Sequence, residues 1–587
     1  MVFRVFGKWL SSGRGRRFVL VTAVLSIAAV LALPAAIYAW RNPAPTTILS
    51  AILAVGFYGV VVTFVRRIWV QLLIAVPILI LNVVEIVHIL IYGSLISLGG
   101  IEAILHVDPH EAREFVSGNA GVFVLAAAAV LAFVMLVRLR SRLDDFHLRE
   151  RLVFGGVLVV APAVVLVGHL WFSGSRQDVY LPSRVAEHFV AHLGANPLTH
   201  TVSGLAATIA SRSELGRARD IRAAHRFDAS RHAVPAEREL YILVIGESSR
   251  RRSWGLYGYG RPTSPRLEAT PNLFAFSDAT SAATVTTPSV ALSLSLAMPE
   301  TMELFHRTRS IVSAFRETGF KTFWLSNQGA HRSAVGNEIA LMMEEADVVR
   351  TSNFGFWNSV LDEKLLPLLD EAIGDPAPRK LIVIHTLGSH TNYRQRVPAG
   401  FGLEPGASGV REAHANGRIT DEQAVVIEDY DRTIAYTDWF LDQVIARHRT
   451  DASYGAVVYY SDHGQRLYDD GEFQKGHGFR TLKPEDVEVP LLVWLSDPLV
   501  RADPARRAAV AANASRPVST GRIAESLLDL AAISVGQSTA TRSFLSAAFQ
   551  PETRTVLMSD KVVVPCCGGA GKGAPVAELS GAGPAPR

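Results

Sequence analysis

Five long apolar runs fall within the first 172 of the 587 residues, and they constrain the fold more than any other feature of the chain. Each run is about as long as a helix must be to cross the hydrocarbon core of a bilayer. Nearly uncharged runs of this length exceed ordinary buried helices, and a cleavable signal peptide would account for only the first of them. The runs cover 18–40, 47–65, 68–98, 122–137 and 152–172. We therefore expect residues 1–172 to form a transmembrane domain of five helices.

Basic residues are concentrated before the first run, between the second and third, and around the loop between the fourth and fifth. The positive-inside rule places these three segments in the cytoplasm. An odd number of spans then puts everything after residue 172 on the opposite side of the membrane. Because the net charge of +4 comes mostly from these loops, it does not indicate binding to nucleic acid.

The rest of the chain divides by pattern into three parts. Residues 173–237 are polar with helix-like segments, and we expect a connector near the membrane surface. Residues 238–548 alternate short apolar runs with helical patterns, which predicts an α/β domain with a largely parallel sheet. Residues 549–587 are rich in Gly, Ala and Pro and are expected to be disordered. The adjacent pair Cys566 and Cys567 is not expected to form a disulfide, since neighbouring cysteines seldom pair.

Groups that suit metal chemistry follow three of the predicted strands. Glu247 follows "ILVIG", His390 follows "IVIHTLGS", and Asp462 and His463 follow "AVVYYS". The carboxyl ends of parallel strands meet at one edge of a sheet, where such sheets bind ligands. A strand-end Asp is often only a helix N-cap, but carboxylates and imidazole together form a plausible set of ligands for a divalent transition metal. Zinc fits this set, and Mn²⁺ is not excluded.

A hydroxyl nucleophile could come from the segment "SDATSAATVTTPSVALSLSL", whose hydroxyl residues precede a helical pattern. A hydroxyl at a helix start gains from the positive end of the helix dipole, and a neighbouring metal would lower its pKa further. The alternative is that these residues simply cap the helix. The candidates are Thr280, Ser281, Thr284, Thr286, Thr287 and Ser289.

The stretch "VIGESSRRRSWGLYGYGRPTSPRL" resembles the signature of the membrane phosphoethanolamine transferases, GE[ST]-x-R followed by GY-x-R-x-T-x-P-x-L. The resemblance continues through the five apolar runs, "HTLGSH", "YDRTIAYTDWFLDQVI" and "YYSDHG" in the family's order. The matching positions of the signature are Gly246, Glu247, Ser248, Arg250, Gly258, Tyr259, Arg261, Thr263, Pro265 and Leu267.

The resemblance implies a sulfatase or alkaline-phosphatase-like periplasmic domain attached to a multi-pass domain in the bacterial inner membrane. It implies a zinc-dependent enzyme that takes phosphoethanolamine from phosphatidylethanolamine onto a threonine and passes it to lipopolysaccharide or another glycan. Glu247, Asp462, His463 and Thr286 would be the metal ligands, with Thr286 as the nucleophile and Thr284 and Thr287 still open. The remaining site residues would be the catalytic His390 and His477 and the substrate-binding Asn327, Arg394 and Lys475.

The chain departs from the family pattern at two positions, with Gln465 in place of an acidic residue and Arg432 in place of Asn. It also lacks the periplasmic cysteine pairs typical of enzymes that act on lipid A, which favours the branch acting on the lipopolysaccharide core. Alternative functions are those of a hydrolase, sulfatase or glycerol-phosphate transferase of the same superfamily, or of a noncatalytic membrane sensor. We expect the protein to act as a monomer.

Overall fold

The computed structural model of the protein describes residues 216–567, apart from 233, 235, 329–337, 353–359, 404–409, 411–418, 470–473, 480, 537–539 and 560, and scattered residues between 33 and 160. Most of the predicted membrane-spanning runs, residues 173–215 of the connector and residues 568–587 of the tail lie outside the described residues. In the amino-terminal part, the described residues at 85–90, 148–153 and 155–160 are helical. No helix in the described part of the chain is both long and apolar enough to cross a bilayer.

A seven-stranded sheet forms the centre of the α/β domain. The strands in chain order are β1 (Ser230–Arg231), β2 (Glu239–Gly246), β3 (Leu273–Ala275), β4 (Ala279–Thr280), β5 (Lys321–Ser326), β6 (Val348–Thr351), β7 (Arg379–His385), β8 (Tyr454–Ser461), β9 (Arg466–Leu467), β10 (Lys475–Gly476), β11 (Leu491–Leu495), β12 (Val518–Ser519), β13 (Ile533–Ser534), β14 (Arg554–Leu557) and β15 (Val563–Cys566). The central sheet has the order β3-β11-β8-β2-β7-β5-β6. Strands β8, β2, β7, β5 and β6 are parallel, whereas β11 runs antiparallel to both of its neighbours.

Helices cover both faces of the sheet. They are α1 (216–224), α2 (Pro265–Glu268), α3 (Thr286–Ser293), α4 (Ile311–Glu317), α5 (Glu338–Met343), α6 (Leu365–Gly374), α7 (Asp421–Asp451), α8 (Pro484–Val487), α9 (Asp497–Ala502), α10 (Pro504–Asn513) and α11 (Ile523–Leu530). Short 3₁₀ helices lie at Arg251–Ser253, Gly255–Tyr257, Pro299–Leu304, Asp362–Lys364, Tyr393–Gln395, Thr520–Arg522 and Ala540–Arg542.

Strand β2 shows how the sequence produces these layers. Its side chains are buried on both faces, as expected for a central parallel strand. Tyr241 and Leu243 join the hydrophobic core beneath α3, α4 and α11. Ile242 and Val244 join the core beneath α6 and α7 on the other face. The alternation of period two therefore places the strand's carboxyl end between two packed layers.

Helix α7 is the longest element in the described part of the chain, and its start is fixed by a capping box. The Thr420 hydroxyl accepts the backbone N–H of Gln423, and the Gln423 side chain accepts the backbone N–H of Thr420. The helix then crosses the second face of the sheet with Tyr430, Ile434 and Val444 buried. It thereby brings its amino-terminal half close to the carboxyl edge of β2.

The described part of the connector packs against the α/β domain. Strand β1 pairs with β13, and the buried Arg222 guanidinium on α1 lies 2.6 Å from the Glu345 carboxylate. A connector position near the membrane surface stays a prediction for the residues before 216.

The expectation of a disordered tail from 549 is wrong for residues 554–557 and 563–566, which pair as the antiparallel strands β14 and β15. The hairpin is stabilised because Val556, Met558 and Cys566 pack against Val487, while the backbone N–H of Leu557 bonds to the Ala282 carbonyl. Apolar residues alternate along β14 and β15 and favour strands, whereas the Gly and Ala bias belongs to the residues that follow them. Cys566 is bonded to Cys567 (S–S 2.06 Å), which corrects the expectation that the adjacent cysteines do not pair.

Gly455 at the start of β8 should not tolerate a side chain. It has φ +157°, and an added Cβ would lie 1.8 Å from the Leu240 carbonyl oxygen on β2. We expect Gly455→Ala to lower the free energy of unfolding by about 1–3 kcal/mol, as overpacking does elsewhere. The matched control is Gly374→Ala at the end of α6, where an added Cβ has nothing within 4 Å. Thermal unfolding should show a lower midpoint for the first variant only, and equal midpoints would contradict the close approach of β2 and β8.

Candidate metal centre and transfer site

The two central strands of the sheet carry the candidate metal ligands at their carboxyl ends. Strands β2 and β8 pair in parallel with Gly246 opposite Ser461, so the residues that follow them emerge side by side. These are Glu247 after β2, and Asp462 and His463 after β8. All three are at most 2% exposed, and one ligand atom from each lies within 4.8 Å of the others. The structure thus brings together the two strand ends that the sequence predicts to converge.

Thr286 is the first residue of α3 and contacts this cluster directly. Its hydroxyl donates to Oε2 of Glu247 at 3.1 Å, and its Oγ1 lies 3.2 Å from Nε2 of His463. Thr284, one of the alternatives, is fully buried, and its hydroxyl has no hydrogen-bond partner among the described residues. The structure therefore places Thr286, rather than Thr284, against the predicted ligands.

The pKa values of the two buried carboxyl groups are shifted in opposite directions. Burial, followed by repulsion from Glu247, raises the pKa of Asp462 to about 7. Burial also opposes ionisation of Glu247, but the charges of His463, His390 and His477 hold its pKa at about 2. Burial lowers the pKa of His463, yet the charges of Asp462 and Glu247 raise it overall. Ionised Glu247 and the His463 imidazole therefore attract each other, with 3.4 Å between Oε1 and Nε2.

The residues fit a divalent cation. Oδ2 of Asp462 is buried without a hydrogen-bond partner in the described part of the chain, a costly arrangement for a carboxylate. Carboxylate oxygens and a neutral imidazole nitrogen are a common donor set for zinc. Glu247, Asp462 and His463 would hold the ion, and the Thr286 hydroxyl is close enough to join them.

A turn with unusual backbone geometry orients Glu247. Ser248 adopts a positive φ of +55°, which lets its hydroxyl donate to Oε1 of Glu247 (2.6 Å) and its backbone N–H to Oδ1 of Asp462 (3.0 Å). Gly388, in the loop after β7, packs so closely that a Cβ there would lie 2.9 Å from the Glu247 backbone. The next residue, Ser389, donates its N–H to the Glu247 carbonyl. Contacts from the turn itself, from Asp462 after β8 and from the loop after β7 therefore fix the position of Glu247.

Tyr430 on α7 holds the same turn from the other side. Its hydroxyl accepts the Arg250 N–H (2.9 Å) and donates to the Ser248 carbonyl (2.7 Å). The neighbouring Asp431 receives hydrogen bonds from Arg261 (2.6 Å) and Tyr259 (2.8 Å). Tyr259 and Arg261 of the signature therefore bind helix α7 rather than line the metal cluster. Sequence reasoning missed Tyr430, whose only signal is its position beside Asp431.

The two predicted catalytic histidines lie beside the cluster. The His477 ring packs against that of His463 with centroids 3.9 Å apart, and its Nδ1 lies 2.9 Å from Oε1 of Gln465. Burial, with the charge of His463, lowers the pKa of His477 well below its usual value. Nδ1 of His390 lies 2.8 Å from the Thr391 carbonyl, and its charge acts on both Glu247 and His477.

Asn327 does not fit the substrate-binding role predicted for it. Its buried amide donates to the Val360 carbonyl and to Oδ1 of Asp362, both at 2.8 Å, and its oxygen accepts the Ser352 hydroxyl. Asp362 in turn accepts the N–H of Gly388. Since all its polar atoms are engaged inside the protein, we reassign Asn327 to support of the loop after β7.

The adjacent Gln328, which sequence reasoning missed, is the residue after β5 that reaches the cluster. Its side-chain amide lies 3.4 Å from Oε2 of Glu247 and 2.9 Å from the Thr386 carbonyl. Of the other predicted substrate contacts, Arg394 is exposed in the 3₁₀ helix Tyr393–Gln395. Lys475 is partly buried at the start of β10, where burial lowers its pKa. The structure shows no direct contact of either with the metal cluster.

The fold and this site define a class of protein. The sulfatase family model matches residues 239–533, just over half of the chain, and the chain belongs to that family. The predicted sulfatase-like fold of the α/β domain is therefore confirmed.

Within this class, the chain is similar to phosphoethanolamine transferase EptC of Escherichia coli (strain K12), with 28% identity over 322 residues. The match covers 54% of each protein, so the chain spans about half the length of the curated relatives it matches. A solved structure of the C-terminal periplasmic domain of E. coli EptC in complex with Zn is 26% identical with a TM-score of 0.53, over 57% of this chain and 94% of that one. The integral membrane protein EptA of Neisseria meningitidis, a lipooligosaccharide phosphoethanolamine transferase, shares the fold over 90% of this chain and 98% of its own, at 18% identity and a TM-score of 0.67. The resemblance to the phosphoethanolamine transferases is confirmed.

Because the pKa of Asp462 is raised, the stability of the metal-free protein should depend on pH. Its folded pKa of about 7 exceeds the unfolded value of roughly 4. Such a group stabilises the folded state fully below about pH 4, and this contribution is lost as the pH rises through about 7. Glu247, with a pKa of about 2, stays ionised in this window.

We therefore expect Asp462→Asn, in the presence of a chelator, to gain thermal stability over the wild type as the pH is raised from 5 to 8. Added zinc should stabilise the wild type more than the variant. Melting curves at several pH values would measure both effects. A difference between the two proteins that does not change with pH would contradict the assigned environment of Asp462.

Removing the Tyr430 hydroxyl should weaken metal binding without unfolding the domain. Tyr430→Phe keeps the ring packed but frees the turn that orients Glu247, and loss of such supporting hydrogen bonds costs about 10- to 100-fold in metal affinity. Tyr436→Phe is the matched control, since that hydroxyl lies on the same helix but bonds to Glu363. Competition of the metal-free protein with a zinc indicator would measure the affinities. Equal affinities for the two variants would show that Tyr430 does not position Glu247.

Proposed function

We propose that the protein is a metal-dependent phosphoethanolamine transferase that moves phosphoethanolamine from phosphatidylethanolamine to lipopolysaccharide or another envelope glycan through a threonine ester. One observation carries this proposal: the Thr286 hydroxyl lies 3.1 Å from Glu247 and 3.2 Å from His463, at the start of a helix. The names of the similar proteins, EptC and EptA, support the same transfer.

Glu247, Asp462, His463 and Thr286 would hold the resident zinc, although Mn²⁺ accepts the same kinds of ligand. When bound, the ion would lower the pKa of the threonine hydroxyl and neutralise charge on the transferred group. The zinc-bound structure of the E. coli EptC domain supports this choice of metal.

In the first half-reaction, Oγ1 of Thr286 attacks the phosphorus of phosphatidylethanolamine. Oε2 of Glu247 accepts the hydrogen bond of the hydroxyl and orients Oγ1, and the hydroxyl releases its proton because a bound ion would lower its pKa. The bond between phosphorus and the glycerol oxygen breaks with its electron pair on that oxygen, which takes up the proton released by Thr286 and departs as diacylglycerol. The phosphoethanolamine group is then esterified to Thr286.

In the second half-reaction, a hydroxyl of the acceptor attacks the same phosphorus. The lone pair of a neutral imidazole, His477 or His390, takes the proton of that hydroxyl. The bond from phosphorus to Oγ1 breaks with its electron pair on the threonine oxygen, which takes the proton back from that imidazolium. Arg394 and Lys475 are proposed to balance the charge of the non-bridging oxygens as the acceptor enters.

The location of the donor explains a membrane-bound catalytic domain. The reactive phosphate of phosphatidylethanolamine lies at the level of the headgroups, so a domain held at that surface reaches it without extracting the lipid. We propose five spans within residues 1–172, in the inner membrane, with the α/β domain in the periplasm. The fold shared with the integral membrane protein EptA over 90% of the chain supports this arrangement.

The acceptor is proposed from the resemblance alone. The absence of the periplasmic cysteine pairs typical of enzymes acting on lipid A favours a sugar of the lipopolysaccharide core. We also propose that the enzyme acts as a monomer.

Mass spectrometry of the purified full-length protein incubated with phosphatidylethanolamine tests the covalent mechanism. We expect a phosphoethanolamine adduct on Thr286 in the wild type, none in Thr286→Ala, and a greatly reduced yield in Glu247→Gln, which weakens metal binding. Thr284→Ala is the matched control and should keep the adduct. Absence of any adduct in the wild type would contradict a threonine ester, and an adduct surviving Thr286→Ala would assign the nucleophile to another residue.

A further inference from the structure

Gln465 joins two side chains that come from different segments of the chain. Its amide nitrogen donates to the Tyr393 hydroxyl at 2.6 Å, and its oxygen lies 2.9 Å from Nδ1 of His477. Gln465 is 1% exposed and Tyr393 is 4% exposed, so neither contact competes with bulk water. Tyr393 is fixed in turn by an edge-on contact with the ring of Tyr430, with centroids 5.0 Å apart. The amide is therefore anchored at one end and presented to a histidine at the other.

This arrangement favours one of the two neutral forms of His477. A neutral imidazole has one N–H and one lone pair. With the amide oxygen facing Nδ1 at 2.9 Å, the hydrogen belongs on Nδ1 and the lone pair on Nε2. In the described part of the chain, Nε2 has no hydrogen-bond partner, while the ring itself packs on His463 beside Thr286.

We propose that Gln465 is a positioning residue for His477, and that Tyr393 anchors it. By holding His477 in the tautomer with hydrogen on Nδ1, Gln465 leaves Nε2 to accept a hydrogen bond from the hydroxyl of the incoming acceptor. This inference rests on the proposed transfer reaction and assigns Gln465 to its second half. Thr286 does not need His477 to receive the group, because Glu247 and His463 already contact its hydroxyl.

The choice of a neutral amide has a physical consequence. The family resembled by the sequence carries an acidic residue at this position, which could also accept a hydrogen bond from Nδ1. A carboxylate would add a further negative charge beside Glu247 and Asp462, both of which are buried. The amide preserves the orientation of His477 without that charge, and its second polar group is used by Tyr393.

The two half-reactions can be measured separately. The adduct on Thr286 is formed with phosphatidylethanolamine, and its disappearance is then followed by mass spectrometry after addition of purified full-length lipopolysaccharide. Gln465→Leu should form the adduct at a rate close to wild type but lose it about 10- to 100-fold more slowly, the size expected when a partner of a site histidine is removed. Tyr393→Phe, which frees the amide, should slow the same step.

Gln465→Glu separates positioning from general structural support. A carboxylate can accept from Nδ1 but cannot donate to it, so this variant should keep the rate of the second step at alkaline pH. Its negative charge should move the acidic limb of the pH–rate profile upward by roughly one unit, because an opposite charge nearby raises a histidine pKa. Gln474→Glu is the charge control, since Gln474 lies in the same segment and its oxygen accepts from Arg466. It should leave the profile unshifted.

Two results would overturn the inference. If Gln465→Leu consumed the adduct as fast as wild type, Gln465 would not position His477. If Gln465→Glu lost as much as Gln465→Leu at all pH values, the amide would be oriented the other way, with the hydrogen on Nε2. Failure of the wild type to form any adduct would instead count against the proposed function. Equal melting temperatures and zinc contents across the variants establish that the comparison concerns the site alone.

Discussion

The burial of two carboxylates beside one imidazole, at the ends of two adjacent parallel strands, is the constraint on which the rest of the domain depends. Glu247 and Asp462 are almost completely removed from water, where like charges repel strongly and unpaired oxygens are costly. The apolar layers on both faces of the sheet make this burial possible. A bound cation would offset the repulsion, and so the fold and the proposed chemistry depend on the same pair of side chains.

The supporting contacts come from segments far apart in the sequence. Tyr430 lies about 180 residues from the turn it holds, and its hydroxyl bonds to two backbone groups of that turn. The signature residues Tyr259 and Arg261 bond to Asp431 next to it. The signature therefore contributes to the site in two ways, through Glu247 as a proposed metal ligand and through the contacts between the following loop and helix α7.

Sequence patterns predicted the parts of the site that depend on the ends of strands. The apolar runs before Glu247 and Asp462 identify buried strands, and parallel pairing alone is enough to bring the two carboxylates together.

The nucleophilic hydroxyl was harder to assign, because several threonines share the segment and only packing of α3 places Thr286, and not Thr284, against Glu247. The substrate-binding role of Asn327 was predicted from the family resemblance, whereas its amide turns inward to Asp362. Gln328 and Gln465 make their contacts with residues of other loops, which no local pattern encodes. The paired strands β14 and β15 were obscured by the composition of the residues that follow them.

The central claim is that Glu247, Asp462 and His463 bind a metal ion beside the Thr286 hydroxyl. Anomalous X-ray scattering at the zinc edge, measured on crystals of the full-length protein prepared with zinc, tests it most directly. The account predicts a strong anomalous peak between the carboxylates of Glu247 and Asp462 and Nε2 of His463. A zinc peak elsewhere with none at this position would contradict it.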